Sequence, residues 1–178
     1  GRVGEIRPCI GLMNCWSRTG HPDGITCALN PAVGREKKYA MTPALKKKRV
    51  MVIGSGAAGM EAARVAAERG HRVILYEEKS YLGGQLIIAS KTASREEMIK
   101  PVTYYQNELK RLGVTVHLST RVTPEIIKRE NPDEVIVATG GLPKSMIIPG
   151  AKTGQVVQGR DVLMGGAAWC AMLLLLKM

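Results

Sequence analysis

The stretch Arg49-Val-Met-Val-Ile-Gly-Ser-Gly-Ala-Ala-Gly59 constrains this chain more than any other. Arg49 to Ile53 is a short apolar run of the kind that parallel sheets bury. Gly54, Gly56 and Gly59 follow in G-x-G-x-x-G spacing. Met60 to Arg69 supplies good helix formers, and Gly70 stands where a helix stops. His71 to Tyr76 reads as a second strand, with Glu77 at its end, 23 positions after Gly54. Each residue type has a physical task in such a unit. Gly54 permits the tight strand-to-helix turn, Gly56 lets a pyrophosphate reach the backbone, and Gly59 lets the helix pack closely on the sheet. The helix start aims unpaired N–H groups and the positive dipole end at phosphate. An acid at position 77 can accept hydrogen bonds from an adenosine ribose. G-x-G-x-x-G alone is a weak signal, but the strand, the helix and the acid supply the context it requires. The unit predicts dinucleotide binding.

The remaining chain supports a parallel, wound sheet. Tyr81-Leu-Gly83-Gly84-Gln85-Leu86 places two glycines and an amide at a strand exit, allowing another close backbone approach to a ligand. Ser94-Arg-Glu-Glu97 reads as a capping box opening a helical stretch to Leu112. Met98, Val102, Tyr105, Leu109 and Leu112 give that stretch an apolar stripe for the core, and Gly113 ends it. Pro101 kinks the segment or marks the start of its main helix. Val114 to Leu118 alternates as a strand, and Thr123-Pro124 opens a short helix to about Glu130. Glu134 to Ala138 is a further apolar strand running into Thr139-Gly140-Gly141. Alternating strands and helices at this spacing define an α/β, Rossmann-like domain. It is expected over residues 49–163 and incomplete. An irregular arm rich in Pro and Gly fills residues 1–48, and 156–161 reads as a loop. Residues 164–178 form an apolar tail without amphipathic spacing, and its Cys170 is most simply a buried or incidental thiol.

Charge and cysteine usage narrow the partners. The net charge is +11, and residues 1–48 carry nine Lys/Arg against three acids. Nucleic acid is not the expected partner: the two Trp and five Tyr do not interleave with the basic residues, and no recognition motif is present. A solvated surface, attraction to an anionic cofactor, or acidic parts lying elsewhere in a larger protein account for the charge. Val162 to Leu176 is an uncharged run of fifteen residues, short of the ~20 a membrane span requires. No secretory leader is visible, and four cysteines beside a cofactor fingerprint point to a reducing compartment, so a cytoplasmic protein is expected.

In order along the chain, five segments resemble signatures of one family. They are Ile6-Arg-Pro-Cys-Ile-Gly11, Ile25-Thr-Cys-Ala-Leu-Asn-Pro-Ala-Val-Gly-Arg-Glu36, the glycine fingerprint, Gly83-Gly-Gln-Leu86 and Val135-Ile-Val-Ala-Thr-Gly140. The chain resembles the middle of the NADH:flavin oxidoreductases typified by bacterial 2,4-dienoyl-CoA reductase, trimethylamine dehydrogenase and 2-enoate reductase. The resemblance implies a (β/α)₈ barrel holding FMN, a four-cysteine loop holding a [4Fe–4S] cluster, and two nucleotide-binding lobes. In such enzymes NAD(P)H reduces FAD, electrons pass by the cluster to FMN, and FMN reduces an activated alkene; in trimethylamine dehydrogenase the first lobe carries ADP instead. It further implies that Gly54, Gly56, Ala57, Ala58, Gly59, Glu77, Gly84, Gln85, Val122, Ala138, Thr139 and Gly140 line an FAD or ADP site. Glu78 reads as a solvent-facing acid, with a ribose contact open to it.

Two departures qualify the resemblance. The family's cluster pattern is close to C-x2-C-x2/3-C-x11/12-C, whereas here it reads Cys9, Leu12, Cys15, Cys27. A [4Fe–4S] unit normally takes four thiolates, so three outcomes stay open. A labile or three-iron cluster survives, an outside ligand fills the gap, or the thiols remain free. Zinc would need a fourth ligand, for which His21 is a candidate by proximity in sequence alone. The family's second fingerprint, for NAD(P)H, is absent, and the FMN barrel and NAD(P)H lobe are expected on the same or a separate chain. No general acid or base is identified, so the chain is expected to hold a cofactor without turning over by itself. The alternative expectation is a stand-alone nucleotide-binding electron carrier that docks on a separate barrel subunit.

Overall fold

The computed structural model describes residues 2–144, 149 and 156–165. Cys170 and the apolar tail from residue 166 onward lie outside the described residues. Four parallel strands form the sheet: β1 (Arg49–Ile53), β2 (Arg72–Tyr76), β3 (Thr115–His117) and β4 (Glu134–Val137), in the order β3-β2-β1-β4. Val50 pairs with Val73 and Glu134, so β1 is the central ladder partner of both neighbours. The helices are α1 (Asn14–Ser17), α2 (Ala57–Glu68), α3 (Gln85–Ala89), α4 (Lys100–Arg111), α5 (Pro124–Glu130) and α6 (Gly159–Leu163).

Side-chain periodicity explains how the layers close. On α2 the buried positions are Gly59, Met60, Ala63, Arg64 and Ala66, which share one face at helical spacing. That face meets β1, β2 and α4. Met60, Ala63, Val52 and Leu75 are fully enclosed, and Val102, Tyr104, Tyr105 and Leu109 bring α4 onto the same core. Gly70 and Gly113 follow α2 and α4 at φ +92° and +69°, the left-handed conformation that ends a helix most easily without a Cβ.

Two local expectations are corrected. The Ser94–Glu97 capping box does not form: Ser94 sits at φ +61°, and its N–H donates to the Glu96 carboxylate at 3.2 Å. A 3₁₀ turn over Glu96–Ile99 precedes α4. Pro101 lacks an N–H to give to Glu97, so a regular α-helical bond cannot be made there. As expected, Thr123 is the N-cap of α5 and Pro124 its first residue, with the helix running to Glu130, although Thr123 makes no side-chain capping bond. Residues 159–163 form the short helix α6, which overlaps the expected loop at 156–161; Gln158 is extended ahead of it and Asp161 lies in its first turn.

Candidate functional site

The chain runs outward from β1 to β2 and β3, then returns to place β4 on the other side of β1. The strand order therefore reverses at β1, and a crevice at such a switch point is where open α/β sheets take their ligands. The Gly54 N–H donates to the Tyr76 carbonyl at 2.8 Å, and the Ala138 N–H donates to the Ile53 carbonyl at 2.8 Å. Those bonds bring the exits of β1, β2 and β4 together.

The three fingerprint glycines are required for different reasons. At Gly54, φ is +99° and a Cβ would lie 2.4 Å from the Ala138 carbonyl oxygen. A Cβ on Gly59 would lie 1.9 Å from the Gly54 carbonyl oxygen. Both positions are closed by the protein's own backbone. Gly56 is different: it is extended, at φ −64° and ψ −179°, and a Cβ there would meet nothing within 4 Å. The space beside it is open. It is the N-cap of α2, whose first N–H groups, at Ala57, Ala58 and Gly59, have no partner within the helix. Ala57 and Ala58 are exposed.

The second glycine pair lies over this turn. The Gly83 N–H donates to the Ser55 carbonyl at 3.0 Å. Gly83 and Gly84 have φ +113° and +52°, and a Cβ on Gly84 would stand 3.0 Å from the Gly56 Cα. Gln85 opens α3 from an exposed position. Positions 56 and 84, distant in sequence, are therefore neighbours across one ridge of backbone.

Beyond the turn, a cavity of about 410 Å³ is lined by Gly54, Glu77, Val122, Thr139 and Gly140, with Thr120 and Arg121 also on its wall. Ala138 contributes through its carbonyl, which fixes the neighbouring glycine. Five of the twelve expected nucleotide-site residues thus share this cavity, and Gly56, Ala57, Ala58, Gly84 and Gln85 form the backbone ridge described above. Thr120 and Arg121 carried no sequence signal except adjacency to Val122.

Glu77 is buried, and its carboxylate is already engaged. Oε2 accepts the Ser55 N–H at 2.8 Å and the Ser55 hydroxyl at 2.6 Å, while Oε1 accepts the Lys79 N–H at 2.8 Å. A carboxylate has about four acceptor positions, so one on Oε1 is left open. Burial pushes the Glu77 carboxyl up, but the hydrogen bonds from Ser55 and Lys79 outweigh it and hold the group below its ordinary value. Glu77 is ionised at neutral pH. The fully buried Ser55 is the functional neighbour that sequence reading missed, because its link to Glu77 spans 22 residues. Glu78 also borders the cavity; its side chain is exposed and pairs with Lys79 at 3.9 Å.

The irregular arm holds a second cavity. Cys9, Cys15 and Cys27 are exposed free thiols and line, with Leu12, a cavity of about 250 Å³. Arg7 ties this loop to the domain. Its guanidinium donates to the Leu29 carbonyl, pairs with Glu61 of α2 at 3.4 Å, and lies 5.2 Å from the centre of the Tyr104 ring on α4. His21 does not approach the thiols: it accepts the Asp23 N–H at 3.2 Å and is absent from the cavity lining. Among the described residues no three His, Cys, Asp or Glu side chains are placed to hold a single metal ion. The donor set also falls one thiolate short of a four-thiolate [4Fe–4S] site. The glycine ridge and the cavity, in contrast, bring the start of α2 and the ionised Glu77 carboxylate to the same sheet edge.

Residues 48–164 match the sequence profile of the pyridine nucleotide-disulphide oxidoreductases, and the chain belongs to that family. Cinnamate reductase of Clostridium sporogenes is 41% identical over 161 residues, covering 90% of this chain and 24% of that protein. NADH oxidase of Thermoanaerobacter brockii is 42% identical over 170 residues, covering 93% and 26%. The structure of 2-naphthoyl-CoA reductase in complex with 2-naphthoyl-CoA superposes with a TM-score of 0.76 at 39% identity, covering 80% of this chain and 22% of that one. These relatives support the resemblance to NADH:flavin oxidoreductases, and this chain spans about a quarter of their length. Among the described residues no helix is long and apolar enough to cross a membrane.

Proposed function

We propose that this chain is the FAD- or ADP-holding lobe of an NAD(P)H-dependent flavin oxidoreductase that reduces an activated alkene of the enoate or dienoyl-CoA type. An FMN-binding barrel and an NAD(P)H-binding lobe, on the same or a separate chain, complete the enzyme in this reading. The observation that carries it is the open space at Gly56 beside the β1/β4 crevice, where both neighbouring fingerprint glycines are closed by backbone.

FAD, when bound, supplies an acceptor for the nicotinamide hydride that can release electrons one at a time. This chain's own part is binding and orientation. The N–H groups at the start of α2 receive the diphosphate, helped by the helix dipole. Glu77, held ionised by Ser55 and Lys79, accepts a ribose hydroxyl with its remaining lone pair. Val122, Thr139 and Gly140 wall the cavity in which the adenosine lies, and Gly84 and Gln85 flank the diphosphate from the opposite side. No side chain here is assigned a proton transfer. Protein mixed with FAD and passed through gel filtration should retain flavin absorbance. Folded protein that emerges colourless, and that binds ADP no better, would refute the reading.

A further inference from the structure

Two residues on the wall of the cavity beside Glu77, Arg121 and Leu142, take no part in the contacts described so far. The floor of that cavity is the exits of β1 and β2, at Ile53, Gly54, Tyr76 and Glu77. Its flanks come from the two outer strands: Thr120, Arg121 and Val122 follow β3, while Thr139, Gly140 and Leu142 follow β4. The β3 flank is stitched down. The Ser119 N–H donates to the Lys79 carbonyl and the Thr120 N–H to the Glu77 carbonyl, both at 2.8 Å. Arg121 comes next, so its backbone is set beside Glu77. It is the one cation among the lining residues, and among the described residues it is in no ion pair; Glu78, on the same wall, is taken by Lys79 at 3.9 Å. Leu142, on the opposite flank, is 90% exposed. A leucine left in water on one side and an unpaired guanidinium on the other are surfaces that a flat, apolar-faced group would cover.

We propose that Arg121 and Leu142 clamp the base of the bound nucleotide, the guanidinium stacked on one face and the leucine packed on the other. The inference rests on the nucleotide reading and adds the groups that select the base. With the diphosphate at the start of α2 and the ribose at the open position on Glu77, the base lies beyond Glu77, away from α2. That is where residues 120–122 and 142 line the cavity. A guanidinium is planar and lies flat on an aromatic ring, whereas a lysine ammonium is a compact point charge. Two fused rings offer such a clamp more face than one. The clamp therefore favours purine over pyrimidine nucleotides, while stacking alone does not tell adenine from guanine.

The test is calorimetric titration of the whole chain with ADP and with UDP, for the parent, Arg121→Ala, Arg121→Lys and Leu142→Ser, each checked for folding by thermal denaturation. The parent should prefer ADP. Arg121→Ala should weaken ADP about tenfold and UDP by only about twofold, which narrows the preference. Arg121→Lys should be nearly as weak for ADP as Arg121→Ala, and Leu142→Ser should narrow the preference in the same direction. Full recovery of ADP affinity in Arg121→Lys, or equal losses for ADP and UDP, would overturn the inference, because the guanidinium would then be serving the diphosphate by charge. Parental ADP affinity in Arg121→Ala would overturn this inference alone. A parent that binds neither nucleotide would overturn the nucleotide reading together with it.

Discussion

Alanine at Gly59 and at Gly56 should separate packing from ligand binding within one turn. At Gly59 the new Cβ would begin 1.9 Å from the Gly54 carbonyl oxygen and 3.3 Å from the Ala138 Cβ. No rotamer relieves a backbone contact, so the start of α2 must move by about 1 Å or more, and such overpacking costs ~1–3 kcal/mol or above. Alanine's helix preference offsets up to ~1 kcal/mol of this. A net loss of about 2 kcal/mol corresponds to a Tm lower by roughly 5 °C. At Gly56 the Cβ enters open space with φ already at −64°, and the cost is about 0.5–1 kcal/mol for the poorer N-cap. Its methyl, however, stands where the diphosphate meets the backbone. Gly56→Ala should therefore melt within a few degrees of the parent yet lose FAD by at least tenfold, read by thermal denaturation and fluorescence titration. Parental FAD affinity in Gly56→Ala, or a parental Tm in Gly59→Ala, would refute the reasoning.

Two further side chains, Glu77 and Arg7, can be tested by the same geometry. Glu77→Gln opposes an amide N–H to one of the donors from Ser55 or Lys79, and should cost about 2–3 kcal/mol by urea denaturation. The Glu77 carboxyl is depressed in the folded state, so its contribution is present above the ordinary value of 4.5 and is lost as pH falls through the lower folded value. Stability should accordingly fall more steeply below pH 4.5 in the parent than in Glu77→Gln, measured as urea midpoint against pH. Arg7→Ala removes the ties to Leu29, Glu61 and Tyr104 while Glu61 keeps Arg64 at 2.8 Å. Limited proteolysis within residues 2–48 should accelerate several-fold with the domain's Tm nearly unchanged.

Much of the fold was legible because local chemistry and tertiary structure agree. The apolar run Arg49–Ile53 is bounded by Lys48 and Gly54, and β1 has those limits. The α4 stripe placed Val102, Tyr105 and Leu109 in the core, while Tyr104 and Glu108, also buried, lie just outside a one-residue-wide reading of that stripe. The capping box failed because Pro101, downstream of the motif, changes what the turn before it can bond. Glu77 was legible as an acid in the right place, but not as an acceptor for Ser55 and Lys79, since that depends on two loops meeting in space. Cys9, Leu12, Cys15 and Cys27 were grouped by the family's cysteine pattern alone, and the cavity they share is a property of the folded arm.

Competition against bound FAD is the most direct measurement of the nucleotide site. If an adenine diphosphate is held by the α2 amides and Glu77, ADP should displace FAD competitively in an equilibrium titration, and FMN, which lacks the adenosine, should not. Displacement by FMN as readily as by ADP, or no effect of ADP at saturation, would contradict it.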